Sequence, residues 1–423
     1  MHDATFDTPR ASDASCGEPG RRAVAGWVTK GLGNTLVSQN MIANYFPVWV
    51  IAVMGGSDGL ISLSNTVVMA LMIGLGPWLG ALSDRLPRRM PVLMFTTLGA
   101  ALLICLLGGS LWLSLVVYSL ANLLFQLSLI IYDALLPAVS TEQDRGRVNG
   151  LGVGLGYLGA LAGLAIGGLV LARGGDYLTV FRLTALLSVI LAVPCFIWVR
   201  EPVRDVPPLA PARLARDAFS DVTATLAHAR QHPLLMRFLV GRTLYSMAGG
   251  AIGIFMAIYL TIQLGYTSGE KDRVLLVAIV GAIAGGLVWG RVVDSLGARN
   301  ALLTILSVWC LALAAIAATG FGLLPNDALW AAGPVAGFAL GGTWASDRPL
   351  MVALSPAAQL GQFFGLYGLA GRLAGLTGPL IWTFVAQVLG LGRPAALVTL
   401  LALVAAAMLV LRPIPSSRGH RAP

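Results

Sequence analysis

Residues 80–89 read GALSDRLPRR, and residues 290–299 read GRVVDSLGAR. Each stretch joins two long apolar runs, carries Asp four residues after Gly, and ends in arginine. Asp84 and Asp294 lie half a chain length apart in a sequence of 423 residues. One basic loop would be unremarkable, but the same pattern at matching places in two halves indicates an internal repeat. We therefore predict two related bundles of helices.

The composition identifies lipid as the solvent of these bundles. Hydrophobic residues make up 57% of the chain and charged residues 11%, whereas soluble domains are about 25% charged. Each of twelve apolar runs is long enough to cross a bilayer as a helix. The predicted fold is all-α and integral to the membrane, with twelve transmembrane helices in two pseudo-symmetric six-helix bundles. The runs, numbered as spans 1 to 12, lie at about 30–54, 59–82, 90–110, 112–136, 148–172, 179–199, 234–262, 273–293, 300–322, 330–354, 362–390 and 394–412.

Basic residues predict the orientation. With the N-terminus inside, most of the 28 lysines and arginines fall in inner segments, and the outer loops hold only Arg173, Arg182, Lys271, Arg273 and Arg393. The positive-inside rule then places both termini in the cytoplasm, and we expect a multi-pass protein of the cell inner (plasma) membrane. The predicted divisions are a disordered cytoplasmic tail (1–26), an N-terminal bundle (27–199), a cytoplasmic linker (200–233), a C-terminal bundle (234–412) and a second cytoplasmic tail (413–423).

Several classes of function find no support in the sequence. There is no P-loop motif, which argues against a primary pump. The four histidines lie outside the apolar runs, and His228 and His232 lack the glutamate of a zinc-protease helix, so we predict neither an enzyme nor a metal site. No cofactor is implied, and the topology explains the net charge of +9 without nucleic acid. The expected partners are a small-molecule solute and the lipid bilayer, and we expect the protein to be monomeric.

The repeated loop resembles the inter-helix loop motif of the major facilitator superfamily of transporters. Further segments resemble the branch that contains the vacuolar amino-acid effluxers of autophagy and their bacterial relatives. That resemblance implies alternating access between two six-helix halves. The matching segments are residues 27–34 (WVTKGLGN), 132–137 (YDALLP), 150–159 (GLGVGLGYLG), Gly341 to Thr343 with Arg348, and 363–372 (FFGLYGLAGR) followed by Gly378 and Pro379.

At two positions the chain departs from that branch. The branch tends to carry a Tyr-Asp pair early in span 1, where this chain has Lys30 and Gly31, and an Asp shortly after a Tyr in span 7, where Ser246 follows Tyr245. Substrate and coupling chemistry therefore do not carry over from the branch at these positions.

The candidate substrate-binding residues are polar groups within the spans, because such groups are costly in lipid and usually face a cavity. At about 100° per residue, the span 1 candidates share one helical face, and so do those of span 7. Arg372 lies near the midplane, and no carboxylate is expected at its depth or beside Arg242. Two unpaired arginines favour an anionic or zwitterionic solute, with amino acids suggested by the family. In the alternative interpretation these residues have a structural role. The small residues form helix interfaces, and backbone carbonyls accept the hydrogen bonds of Arg372. The candidates are Arg372, Arg242, Asn34, Ser38, Tyr45, Tyr245 and Ser246.

The candidate gating residues are the loop repeats and the charges near the cytoplasmic ends of the spans. We predict that Asp84, Arg85 and Arg88 latch those ends in the outward-facing state, with Asp133 or Glu142 as partners. The only acids expected within the spans are Asp133 and Asp347, and no histidine is intramembrane, which favours uniport or exchange with Asp133 as the fallback proton site. The gating candidates are Gly80, Asp84, Arg85, Arg88, Asp133, Asp294, Arg299 and Arg348.

The predicted function is secondary or facilitative transport of a small organic solute by alternating access, including efflux. A non-transporting receptor and a lipid or drug exporter of the same fold remain the alternatives.

Overall fold

A computed structural model describes residues 20–84, 87–140, 145–201, 230–355 and 360–415. Within these ranges the regular secondary structure is entirely helical, and helices cover all twelve predicted spans, which confirms the all-α fold. In chain order, spans 1 to 12 comprise Arg21–Val37 with Ser38–Asn44 and Tyr45–Ala52; Asp58–Asp84; Met90–Cys105; Leu111–Ala134; Arg145–Ala172; Tyr177–Trp198; Pro233–Ile258 with Tyr259–Gln263; Ser268–Leu296; Ala298–Gly320; Leu329–Leu354; Leu360–Thr383 with Phe384–Val388; and Gly392–Leu411.

The length and composition of these helices suit a bilayer. Nine helices among the described residues are long and apolar enough to cross a membrane, and the helix of span 3, Met90–Cys105, is apolar but shorter. The protein is therefore a multi-pass membrane protein.

Some boundaries differ from those predicted. Span 1 begins at Arg21, inside the segment expected to be a disordered tail, and span 7 begins at Pro233, inside the expected linker. Hydropathy misses such polar first turns because they need no apolar side chains to remain helical. Residues 1–19, 202–229 and 416–423, which belong to the predicted tails and linker, lie outside the described residues.

Three spans contain π-helical segments toward the end that the arginine distribution assigns to the outside, called here the outer end. They are Ser38–Asn44 in span 1, Tyr259–Gln263 in span 7 and Phe384–Val388 in span 11. The i→i+5 hydrogen bonding of a π-helix widens the turn, so side chains beyond it rotate relative to an α-helical projection. Spans 1 and 7 occupy equivalent places in the two halves, so this feature follows the repeat.

Glycines allow spans 8 and 10 to pack backbone against backbone. A Cβ atom on Gly281 or Gly285 of span 8 would collide with carbonyls of span 10, and one on Gly337 or Gly341 would collide with carbonyls of span 8. Each pair is separated by three residues, the small-xxx-small spacing of close membrane helix pairs. These glycines therefore allow close backbone contact within the C-terminal half.

Candidate transport pathway and its outer closure

The two halves are joined by hydrogen bonds between spans 2 and 11. The Ser62 hydroxyl donates to the Pro379 carbonyl (2.8 Å), and the Asn65 amide donates to the Gly375 carbonyl (2.7 Å). Closer to the outer end, the Gly59 amide donates to the Gln387 side chain (3.0 Å). Because Pro379 has no backbone N–H, the Gly375 carbonyl lacks its partner within the helix, and the hydrogen bond from Asn65 uses this carbonyl to join the halves.

A first charged group, the Asp58 cluster, reinforces this junction. The Asp58 carboxylate, at the start of span 2, is fully buried and accepts two hydrogen bonds from the Arg393 guanidinium at 2.9 and 3.0 Å. It also accepts one from the Trp382 indole at 3.0 Å. Because these partners belong to spans 11 and 12, a bidentate buried ion pair ties the N-terminal half to the C-terminal half.

A second group, the Asp272 cluster, joins span 1 to span 8. The Asn44 amide donates to one Asp272 oxygen (3.1 Å), and the Tyr45 hydroxyl lies 2.9 Å from the other and 2.9 Å from the Leu164 carbonyl. The Lys271 ammonium donates to Asn44 and to Asp272. The four side chains of this cluster are buried, so opening the outer end would have to break a desolvated polar network.

Sequence reasoning missed both clusters. We expected Asp133 and Asp347 to be the only acids within the spans, and the structure shows that this was wrong, because Asp58 and Asp272 are buried within helices. Each precedes the first residue of an apolar run and was therefore assigned to a loop. A usable signal was present, since basic residues expected in the outer loops, Lys271 and Arg393, lie at the same end of the spans as these acids.

Arg242 does have an acidic partner, contrary to the sequence prediction. Its guanidinium forms an ion pair with Asp347, and it lies 3.4 Å from the centre of the Tyr367 ring. The Tyr245 hydroxyl lies 3.4 Å from the same Asp347 carboxylate. Arg242 and Asp347 are nine and seven residues from the inner ends of their helices, about 13 and 10 Å at 1.5 Å per residue. Counting residues from the inner ends of both helices places the two groups at similar depths, and this count could have predicted the ion pair.

Arg372 differs from Arg242, because no described residue neutralises its charge. It is half-buried on span 11 and forms no hydrogen bond or ion pair with the described residues. A Cβ atom on Gly76 of span 2 would lie 2.8 Å from Nη1 and 3.0 Å from Cζ of Arg372, so the guanidinium rests against the opposite half. Gly365 and Gly368, on preceding turns of the same helix, border open space.

Arg372 lies just inward of the contacts that join the halves at the outer end, namely the bonds between spans 2 and 11 with the Asp58 and Asp272 clusters. These contacts are called here the outer closure. Arg372 lies three residues, about one helical turn, inward of Gly375, which accepts the hydrogen bond from Asn65. A cation that no described residue pairs thus lies directly inward of the hydrogen bonds that join the halves.

The other predicted binding residues do not form one surface with Arg372. Tyr45 belongs to the Asp272 cluster, whereas Asn34 accepts a hydrogen bond from Lys30 and lines a cavity inside the N-terminal bundle. Ser38 and Ser246 are half-buried and show no side-chain hydrogen bond within the described ranges. The projection at a constant angle fails in span 1 because the π-helix Ser38–Asn44 separates the candidates.

The predicted gating residues are only partly described. Arg85, Glu142, the surroundings of Gly80 and the side chains of Asp84 and Asp294 lie outside what the structure describes. Arg88 is exposed.

Arg299 donates to the Arg412 carbonyl and to Asn300, so it ties span 9 to the end of span 12 within one half. Asp133 and Arg348 are exposed and interact electrostatically across the two halves without forming an ion pair. The latch of Asp84, Arg85 and Arg88 with Asp133 or Glu142 stays a prediction.

The contact between Gly76 and Arg372 leads to a test that perturbs the arginine without replacing it. Gly76→Ala should displace the guanidinium, the flexible end of its side chain, and raise the KM for transport by about tenfold, the effect of one weakened charge-assisted hydrogen bond. We expect thermal stability to change little. Gly269→Ala, whose Cβ meets nothing within 4 Å, is the matched control. An unchanged KM in Gly76→Ala would argue against a functional position of Arg372.

Comparison with known proteins agrees with this architecture. The family model described as "Vacuole effluxer Atg22 like" matches residues 58–422. An uncharacterized protein of Aquifex aeolicus is 24% identical over 359 residues, covering 83% of this chain and 86% of the relative. The uncharacterized MFS-type transporter YxiO of Bacillus subtilis is 23% identical, covering 77% of each chain. Autophagy-related protein 22-1 of Aspergillus fumigatus is 23% identical over 64% of this chain, which spans 47% of that protein.

Solved structures show the same fold. The nucleoside transporter NupG superposes with a TM-score of 0.72 at 12% identity, covering 93% of this chain and 99% of its own. A D-xylose-proton symporter superposes with a TM-score of 0.69 at 13% identity, covering 94% and 97%. The fold is therefore that of the major facilitator superfamily of transporters, and the chain belongs to the Atg22-like vacuole effluxer family.

Proposed function

We propose that this transporter moves a small anionic or zwitterionic solute, such as an amino acid, by alternating access, and that Arg372 binds the carboxylate of the solute. The observation that carries the proposal is the unpaired guanidinium of Arg372 beneath the outer closure. A mid-membrane arginine costs about 2.5–3.5 kcal/mol on insertion scales, so a compensating group is expected. A planar guanidinium can hold a carboxylate through two parallel hydrogen bonds.

The local charge balance supports an anionic group more than a cation. Arg242 is neutralised by Asp347, and within the described residues no carboxylate pairs with Arg372. The net charge at this part of the pathway is therefore positive. A cationic solute would meet repulsion from Arg372, whereas the carboxylate of an acidic or neutral amino acid would supply the missing partner.

The pattern of contacts between the halves supports an inward-facing state. Among pairs of described residues, the hydrogen bonds that cross between the halves lie in the outer parts of the spans, and on span 2 they run from Asp58 inward to Thr66. The ring contact of Tyr157 with Trp344 lies near mid-depth. We also propose that the protein is a monomer in the cell inner membrane and that both of its termini are cytoplasmic. A solute leaving Arg372 from this state would then enter the cytoplasm.

The relatives leave the substrate open. The two solved structures described above are named for a nucleoside and a sugar, and the family name refers to vacuolar efflux. The proposal for an amino-acid-like solute therefore depends on Arg372 and not on the fold.

The test is counterflow of radiolabelled solutes in proteoliposomes that contain the full-length protein. We expect accumulation of acidic or neutral amino acids when unlabelled solute is inside, and none of lysine, xylose or uridine. Accumulation only of a cationic or uncharged solute would refute the substrate class. Scrambling of fluorescent lipid without counterflow of any solute would support a lipid exporter instead. Solute-driven alkalinisation that disappears when the pH gradient is collapsed would contradict uniport or exchange.

A further inference from the structure

A second cationic group lies inside the N-terminal bundle, away from the interface between the halves. Lys30 of span 1 is only 3% exposed. Its ammonium donates to the side-chain oxygen of Asn34, one turn along the same helix. An ammonium carries three N–H donors, and the described residues provide Lys30 with no carboxylate and no second hydrogen-bond acceptor. A buried cation left in this way costs several kcal/mol, so a counter-charge is expected.

The groups around Lys30 supply further unused polar atoms. A small cavity, in which the centre of a water-sized sphere has about 10 Å³ of space, is lined by Lys30, Asn34, Thr97, Phe125, Ser128 and Ser188. The Asn34 side-chain nitrogen and the Thr97 hydroxyl are buried and have no hydrogen-bond partner. Spans 1 and 3 thus each contribute to the lining of this cavity a residue with an unsatisfied polar atom.

The two serines that line the cavity are already engaged. The Ser128 hydroxyl donates to the Phe125 carbonyl (2.7 Å), and the Ser188 hydroxyl donates to the Ala185 carbonyl (2.8 Å). The donors that remain unused are therefore two N–H groups of the Lys30 ammonium, the amide N–H₂ of Asn34 and the hydroxyl of Thr97. None of the cavity-lining residues carries a carboxylate.

We propose that this cavity is a binding site for a monovalent inorganic anion the size of chloride, held by Lys30, Asn34 and Thr97. The anion supplies the missing counter-charge of Lys30 and accepts hydrogen bonds from the amide and the hydroxyl. The cavity is too small for an organic carboxylate, so this site is distinct from Arg372 and independent of the solute proposed above. Its occupancy stabilises the packing of spans 1, 3, 4 and 6.

The test measures the thermal unfolding midpoint of the purified full-length protein while chloride replaces gluconate at constant ionic strength. The wild-type protein should show a saturable rise in midpoint, because a ligand that binds only the folded state stabilises it. Thr97→Val removes one hydrogen bond without changing shape and should raise the apparent Kd for chloride by about tenfold. Lys30→Met should abolish the chloride dependence. In crystals grown with bromide, an anomalous peak should lie beside the Lys30 ammonium.

Thr96→Val is the matched control, because Thr96 is equally buried but donates to carbonyls of its own helix. It should keep the wild-type chloride dependence. A wild-type midpoint that does not respond to chloride, or one that responds equally in Lys30→Met, overturns the proposal. If Lys30→Met does not fold, the decision rests on Thr97→Val and on the bromide peak, and wild-type affinity in Thr97→Val or bromide bound elsewhere refutes the site.

Discussion

Replacing Arg372 by lysine is expected to raise the KM for the transported solute by about 10- to 100-fold, with the protein still folded and inserted. The estimate corresponds to the loss of about 1.5–3 kcal/mol, the range for a hydrogen bond to a charged group. Lysine keeps the positive charge but presents a point charge in place of a planar fork, so it loses the bidentate grip on a carboxylate. Its ammonium also cannot lie flat against Gly76 as the guanidinium does.

The measurement is counterflow kinetics in proteoliposomes, accompanied by thermal unfolding of the purified variants. Arg182→Lys is the matched control, since Arg182 is an exposed arginine at the outer end of span 6 and should transport with wild-type KM. Arg372→Ala should lose transport more severely than Arg372→Lys. If Arg372→Lys transports normally while its unfolding midpoint falls, Arg372 is a structural residue and the proposed binding role is wrong.

Breaking the Asp58 cluster should shift the protein toward the outward-facing state. Asp58→Asn removes the carboxylate that holds Arg393 in two hydrogen bonds, and leaves a partly buried guanidinium without its counter-charge. Removing one member of a buried ion pair typically costs about 3–5 kcal/mol. Opening the outer end lets Arg393 reach water, so this cost falls mainly on the closed state. Even 3 kcal/mol would change the ratio of the two states by about 100-fold.

Spin-label distances across the outer end would measure this shift. Val53 and Leu323 are exposed residues that follow spans 1 and 9, on opposite halves. In a background whose four cysteines are replaced by alanine, labels on Val53→Cys and Leu323→Cys should move apart when Asp58→Asn is introduced. The Asp272 cluster still joins the halves in this variant, so adding Asp272→Asn should increase the shift.

Two controls separate a gate from general destabilisation. Asp327→Asn removes an exposed carboxylate near the outer end and should leave the distance unchanged. Adding Arg393→Leu to Asp58→Asn removes the uncompensated cation and should restore part of the closed population. Identical distance distributions in the wild type and in Asp58→Asn, measured on folded protein, would show that the Asp58 cluster does not hold the outer end closed.

The candidate site was predictable only where it depended on depth within one helix. Arg372 was correctly singled out because an arginine in the middle of an apolar run is unusual wherever the helix packs. The ion pair of Arg242 was harder to predict, since its partner Asp347 lies more than 100 residues away on another span. The position of Asp347 was assigned only from its distance to the cytoplasmic end of its apolar run. Asp58 and Asp272 were missed because hydropathy ends a span at the first charge, even when that charge is buried.

The sequence by itself determined that this protein is a helical multi-pass membrane protein, and it predicted twelve spans with a two-fold repeat. Those properties follow from the length of each apolar run and from a motif that recurs in matching loops. In lipid each span must form the hydrogen bonds of its own backbone, so a sufficiently long apolar run becomes a helix. Only the tertiary structure decided which charges are neutralised and which remain free. That outcome depends on how each helix is rotated and on which half it faces, and the π-helices of spans 1, 7 and 11 change those rotations without a hydropathy signal.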